Sequence, residues 1–253
     1  MWWVPIRVIR LQWHLARGVW LTHRASHHPP AVHAQRVQNW LAHVLIILNI
    51  QVVIEGEPPT ECGHLWLANH VSWLDIPLLG GLVPRTVFLA KAEIREWPLI
   101  GRLATQAGTL FMLRGTGSGQ AQHALTQGLK RNQHVVIFPE GTTTVGLAVK
   151  RFHARLIQTA LDVPVPVQPV ALRYITPDGR LDRRAAYIDN DSLITSLWRI
   201  LRAKKIQVRV RFLESIPVQP ARTAKAAPGL NRDGITRLAE QRIRQALQQW
   251  DAP

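Results

Sequence analysis

Between residues 64 and 172, strand-like apolar runs take turns with helix-like stretches, and this alternation restricts the chain's possible folds more than any single residue does. The runs cover 64–69, 86–90, 109–113, 135–138 and 165–172, and the stretches between them cover 76–82, 94–105, 120–131 and 149–161. Strands joined through helices cross over and pair in parallel, so helices must cover both faces of the sheet. The expected fold class is α/β, a single domain with a largely parallel central sheet flanked by helices. A β-branched run at 50–54 adds a first strand. A later run at 206–212 sets Val208 and Val210 against Arg209 and Arg211, which reads as an edge strand with one wet face. Residues 217–229 form a Pro/Ala-rich connection, and 235–250 reads as a terminal amphipathic helix.

The N-terminal part has a different character. Trp2, Ile6, Ile9, Trp13, Ala16 and Trp20 recur in alternating steps of four and three, one narrow stripe on a helix. Arg10 and Arg17 lie beside the stripe, and Arg7 sits further round. Aromatics with arginines at their edges suit a helix lying in a membrane interface, although the same spacing also packs on protein. Ser26-His-His-Pro-Pro30 reads as a turn into a second helix from about Val32 to Leu48, so an amphipathic helical hairpin precedes the sheet domain. The expected divisions are 1–49 for the hairpin, 50–216 for the α/β domain, and 217–253 for the linker and C-terminal helix.

Composition points the same way. A formal charge of +15, from 31 Lys and Arg against 16 Asp and Glu, calls for a polyanionic partner or an anionic surface. Ten Trp against two Tyr favours surfaces that are apolar on one side and wet on the other. A single cysteine, Cys62, excludes an internal disulfide. No secretory signal is expected, since Arg7 and Arg10 interrupt the first apolar stretch. No run approaches the roughly 20 apolar residues of a membrane span; residues 41–54 come nearest but include His43, Asn49 and Gln51.

Two polar knots close apolar runs. His70-Val-Ser-Trp-Leu-Asp75 follows Leu65-Trp-Leu-Ala68, and an imidazole with a carboxylate to orient it is the equipment for taking a proton from an alcohol. Residues five apart diverge by about 140° on a helix, so the pair meets only if a loop runs between them into a helix. Ser72 is either a nucleophile or a capping residue. Phe138-Pro-Glu-Gly-Thr142 is the second knot: Pro139 stops the strand, Gly141 permits an unusual backbone angle, and Glu140 reaches the crevice at the strand ends. Between them, Arg114 precedes Gly115-Thr-Gly-Ser-Gly119, a loop suited to a phosphate or serving merely as a flexible turn. No Cys/His spacing fits zinc, so no metal is expected.

Taken together, these blocks resemble the glycerolipid acyltransferase family typified by bacterial 1-acyl-glycerol-3-phosphate acyltransferases. The resemblance spans about residues 36–213. It rests on Asn69-His-Val-Ser-Trp-Leu-Asp75, Gly108-Thr-Leu-Phe-Met-Leu-Arg114, Phe138-Pro-Glu-Gly-Thr142 and Val163-Pro-Val-Pro-Val167, in that order, with Ala90-Lys-Ala-Glu93 and Pro98-Leu-Ile-Gly101 between the first two. The hairpin also looks like the membrane-docking element of some bacterial members.

The resemblance implies that His70 is a general base with Asp75 as its partner. It implies that Lys91 and Arg114 hold the acceptor phosphate and that Glu140, Gly141 and Thr142 line the acceptor site. A fatty acyl group would pass directly from acyl-CoA or acyl carrier protein to the free sn-2 hydroxyl of 1-acyl-glycerol-3-phosphate, in phospholipid biosynthesis, with no cofactor and no covalent enzyme intermediate. Met112-Leu113 and Thr143-Thr144 depart from the family's usual charged residues near the phosphate pocket. Lyso-ornithine lipid or another lysolipid therefore stays open as acceptor. The expected partners are the lysolipid, the acyl carrier and an anionic membrane, with no nucleic acid. The expected location is peripheral (monotopic) on the cytoplasmic face of the cell membrane. The competing functions are a non-catalytic lipid binder and a hydrolase using Ser72, the latter without a Gly-x-Ser-x-Gly elbow.

Overall fold

Every residue of β2 (Leu65–Ala68), β5 (His134–Ile137) and β6 (Val167–Ile175) is buried, as strands covered on both faces must be. They lie at the centre of the fold in a computed structural model that describes residues 1–22, 29–61, 63–112, 118–188, 191–219 and 230–251. The other strands are β1 (Ile50–Glu55), β3 (Thr86–Lys91), β4 (Leu110–Met112) and β7 (Ile206–Phe212). Among the described residues they form one seven-stranded sheet in the order β1-β7-β6-β2-β5-β3-β4. The five strands from β6 to β4 are mutually parallel, so their C-terminal ends share one edge. β7 is antiparallel to β6 and parallel to β1.

Eight α-helices are described: α1 (Trp3–Thr22), α2 (Pro30–Leu48), α3 (Asp75–Leu82), α4 (Ile100–Gln106), α5 (Ser118–Lys130), α6 (Gln158–Asp162), α7 (Leu193–Arg202) and α8 (Arg232–Gln249). Residues of α1, α2, α3 and α7 build the core on one side of the sheet, and α5, α6 and α8 build the other. The second hairpin helix comes very close to α3: a Cβ on Gly81 would lie 2.9 Å from the backbone of Ala42. Glycine there lets α2 seat directly on the helix that begins at Asp75. The α/β architecture and the preceding hairpin are thus as expected; of the expected hairpin turn, residues 23–28 lie outside the described residues.

Four local expectations need correction. β7 is not an edge strand, because β1 pairs with it from Ile206 to Arg211. Its basic face stays part-exposed, as the alternation implies, with Arg211 paired to Glu55 and lying over the ring of Trp250, just past α8. The helix expected over 94–105 is two pieces, a 3-10 turn at Ala92–Glu96 and then α4, with Pro98 and a left-handed Leu99 (φ 66°) between them. The stretch 149–161 is mostly loop and 3-10 turn before the short α6. Finally, α7 is an element that the sequence reading passed over. Most of the connection expected at 217–229 lies outside the described residues.

The face of α1 that turns inward carries Val4, Arg7, Leu11 and His14, all buried. The aromatic stripe turns outward, with Trp2, Ile6, Ile9, Trp13 and Trp20 exposed. Arg7 explains how a charged residue can face inward. Its guanidinium donates to the carbonyls of Leu201 (3.0 Å), Ala203 (2.6 Å) and Lys204 (2.9 Å), where α7 ends and its carbonyls lack helical partners. No helix among the described residues is long and apolar enough to cross a membrane.

Candidate active site

The site lies at the C-terminal edge of the five parallel strands, where the connecting loops of an α/β sheet leave a crevice. Asn69 follows β2 and extends its pairing with β6 through the side chain: its amide donates to Leu172 O at 3.0 Å and accepts from Leu172 N at 2.8 Å. His70 comes next, and the chain loops through 71–74 before α3 starts at Asp75. That loop solves the five-residue spacing, because the carboxylate in the first helical turn points back over the residues before it. Asp75 Oδ2 accepts from Val71 N (2.8 Å), Ser72 N (3.0 Å) and His70 Nδ1 (2.8 Å). Oδ1 accepts from the Tyr174 hydroxyl at 2.8 Å.

Asp75 is fully buried, whereas the His70 side chain keeps 20% of its exposure. With Nδ1–H donated to Asp75, Nε2 carries the free lone pair of the imidazole. The ring stacks on Phe138, with centroids 3.9 Å apart and planes 13° from parallel. Tyr174 lies in the buried strand β6, and its hydroxyl is held well above the ordinary phenol range, by burial first and by the Asp75 charge second. It therefore stays a donor.

The loop after β5 fixes the backbone of His70 from both sides. Glu140 is buried, and its Oε1 accepts from His70 N at 2.8 Å while Oε2 accepts from Lys150 N at 2.9 Å. Burial pushes its carboxyl above the usual range, and these two N–H donors partly offset the shift. On the other side, His70 O accepts from Thr144 N at 2.8 Å. Gly141 makes this turn possible: its φ is +70° and its N–H donates to Phe138 O at 3.0 Å. Thr142 is exposed beside it.

Of the expected residues, His70, Asp75, Glu140 and Gly141 come together in one cluster. Lys91 is exposed at the end of β3. Arg114 lies outside the described residues. Ser72 is fully buried, and its hydroxyl accepts from Leu74 N at 3.3 Å, the arrangement of a turn residue. Tyr174 is absent from the sequence expectations; Phe138 and Thr144 fall in or beside the expected blocks, and the structure gives them the further roles of ring partner and backbone donor to His70. A hydroxyl within the apolar run of β6 was the available signal for Tyr174, since a buried phenol needs a partner.

A partly exposed imidazole backed by a buried, four-fold hydrogen-bonded carboxylate is equipped to accept a proton from a hydroxyl. Similarity to known proteins gives the family. A family model described as Acyltransferase matches residues 49–173. Over 215 residues the chain is 46% identical to a lyso-ornithine lipid O-acyltransferase of Pseudomonas aeruginosa, covering 85% of this chain and 79% of that protein. This chain belongs to the lysolipid acyltransferase family. It is also 40% identical over 174 residues to a 1-acyl-sn-glycerol-3-phosphate acyltransferase of Neisseria meningitidis, covering 67% of each. The crystal structure of a 1-acyl-sn-glycerophosphate acyltransferase from Thermotoga maritima shares the fold, with a TM-score of 0.71 at 19% identity over 99% of this chain and 95% of that one. As a member of this family, the chain carries the histidine block at the end of β2 and the Glu-Gly-Thr block at the end of β5.

Proposed function

We propose that this acyltransferase moves a fatty acyl group from a thioester of coenzyme A or acyl carrier protein to a free hydroxyl of a lysolipid at an anionic membrane surface. The observation that carries this reading is the 2.8 Å contact between His70 Nδ1 and a fully buried Asp75, with Nε2 left for substrate. As the acceptor oxygen attacks the thioester carbonyl, Nε2 takes its proton and Asp75 stabilises the resulting imidazolium. The tetrahedral adduct then collapses, the C–S bond breaks, and the departing thiolate takes the proton from His70. Lys91 and Arg114 serve the acceptor headgroup, and Gly141 and Thr142 border it. Glu140 acts through the backbone N–H groups it holds. The step balances with these groups alone.

For the acceptor, lyso-ornithine lipid is the first choice. Thr143 donates its hydroxyl to Tyr187 O, and Thr144 Oγ1 lies 3.3 Å from His70 O, so neither presents a cation where relatives often carry an arginine. The name of the Pseudomonas relative supports the same choice. The sn-2 hydroxyl of 1-acyl-glycerol-3-phosphate is the second reading, favoured by the cations Lys91 and Arg114. Docking on the cytoplasmic face of the cell membrane belongs to the proposal, supported by the outward aromatic stripe of α1.

The test gives purified protein each lysolipid with each acyl carrier and measures free thiol and acylated lipid. His70→Ala should lower kcat by about 10²–10⁴-fold, while Ser72→Ala keeps acceptor-dependent product. Turnover that survives His70→Ala would refute the base. No turnover across the panel would refute the enzyme reading, and a higher kcat/KM for 1-acyl-glycerol-3-phosphate would reverse the order of acceptors.

A further inference from the structure

α7 is amphipathic in a way its surroundings do not explain. Its inner side contributes Ser196, Ile200 and Leu201 to the core. Its outer side presents Ile194, 80% exposed, and Trp198, 50% exposed, one helical turn apart. These two large apolar side chains stand side by side on a short helix, and covering them with lipid would remove their apolar area from water. Exposed Arg202 and Lys204 continue this side toward the helix end, and α7 has no acidic residue.

Three observations identify the occupant of this face. α7 and α1 pack on the same side of the sheet, with Val4 and Leu11 in one core with Ile200 and Leu201, so both outer faces look away from that side. Arg7 ties the two helices together through three carbonyls at the end of α7. Cationic residues border both faces, Arg10 and Arg17 on α1 and Arg202 and Lys204 by α7, which suits an anionic surface. α7 also reaches the active-site loop directly: Trp73 Nε1, between His70 and Asp75 in sequence, donates to Ser196 Oγ at 3.1 Å.

We infer that α7 is a second lipid-contacting helix, whose Ile194 and Trp198 enter an anionic bilayer beside α1 and set the His70 loop at the bilayer surface. The inference rests on the lipid-surface reading proposed above. In this arrangement α1 supplies the longer anchor, and α7 sets the roll of the domain so that a lysolipid leaving the bilayer meets Nε2.

The experiment measures partition of the full chain onto phosphatidylcholine vesicles with and without phosphatidylglycerol. It compares wild type, an Ile194→Ser/Trp198→Ser variant, an Ile194→Trp variant, and a Trp2→Ser/Trp13→Ser variant of α1. The α7 double variant should lose at least about ten-fold in partition to anionic vesicles, on the scale expected for removing two interfacial apolar side chains, and Ile194→Trp should bind more tightly. Thermal melting and turnover of a short-chain, water-soluble lysolipid should match wild type for both α7 variants. Unchanged partition of the double variant beside a weakened α1 variant would overturn the role of α7 alone. Failure of wild type to bind vesicles would overturn the lipid-surface reading itself. A dimer in light scattering that the double variant dissociates, with vesicle binding unchanged, would assign this face to a second copy and overturn the inference.

Discussion

Acid should destabilise this fold through one histidine at the start of β5. His134 is fully buried, and neither ring nitrogen has a hydrogen-bond partner among the described residues. Its neighbours are the rings of His64 and Trp66, and Arg85 adds positive potential. Burial first, and these charges second, lower its pKa from 6.5 to about 4. The unfolded chain therefore binds a proton near pH 6.5 that the folded chain refuses until about pH 4. Stability is complete above pH 6.5 and falls as pH drops through that window. The full difference is about 3 kcal/mol, of which about 2 kcal/mol is lost by pH 5. Urea unfolding at pH 7.5 and pH 5 measures this directly for wild type and His134→Leu. His14 is also shifted down by burial, but it is present in both proteins and drops out of the comparison; His64 lies against His134, so the same pair is measured in a His64→Leu background as well. Wild type should lose about 2 kcal/mol more than the variant over this interval. Equal losses, within about 0.5 kcal/mol, would refute the reasoning, because the proton would then have another home.

Two further outcomes follow from the site and from the hairpin. Tyr174→Phe removes the phenol that donates to Asp75 Oδ1, which should cost about 1.5–3 kcal/mol, lower Tm by roughly 3–12 °C and lower kcat about ten-fold with KM little changed; an unchanged melt and an unchanged kcat would remove Tyr174 from the site. Arg7→Met removes the Arg7 donor from the carbonyls of Leu201 and Ala203, while Lys204 O keeps a donor in Asn49 Nδ2, so it should cost about 1–3 kcal/mol and raise protease cleavage within 1–22, and an unchanged digestion pattern would show that α1 is held by its apolar face alone.

Much of this architecture can be read from local pattern. β2 and β5 are continuous apolar runs because both their faces are covered, and His70 with Asp75 stands out because a polar imidazole and a carboxylate follow such a run directly. Other features depend on partners far away in the chain. β7 looks like an edge strand until β1 is seen beside it, with Arg211 against Glu55 and Trp250, residues 156 and 39 positions away. The phenol that completes the Asp75 shell comes from 99 positions downstream, and no periodicity announces it. α7 is short and follows an irregular stretch, so its amphipathic pattern carries little weight until the core side is known. Pro98 was the local sign that the helix over 94–105 would break.

The separation of Tyr174 from Asp75 has a consequence for how the chain is made. Synthesis delivers the hairpin first, then the histidine loop, then β5, and only later the strand that supplies the phenol. Arg7 must wait still longer, because the carbonyls it holds belong to residues 201–204. β1 likewise stays unpaired until β7 arrives, since that strand is its partner in the sheet. A chain still on the ribosome therefore carries the aromatic stripe of α1 before Asp75 has gained its phenol donor. The outward face is complete early, and the cluster behind it is complete only once β6 is in place.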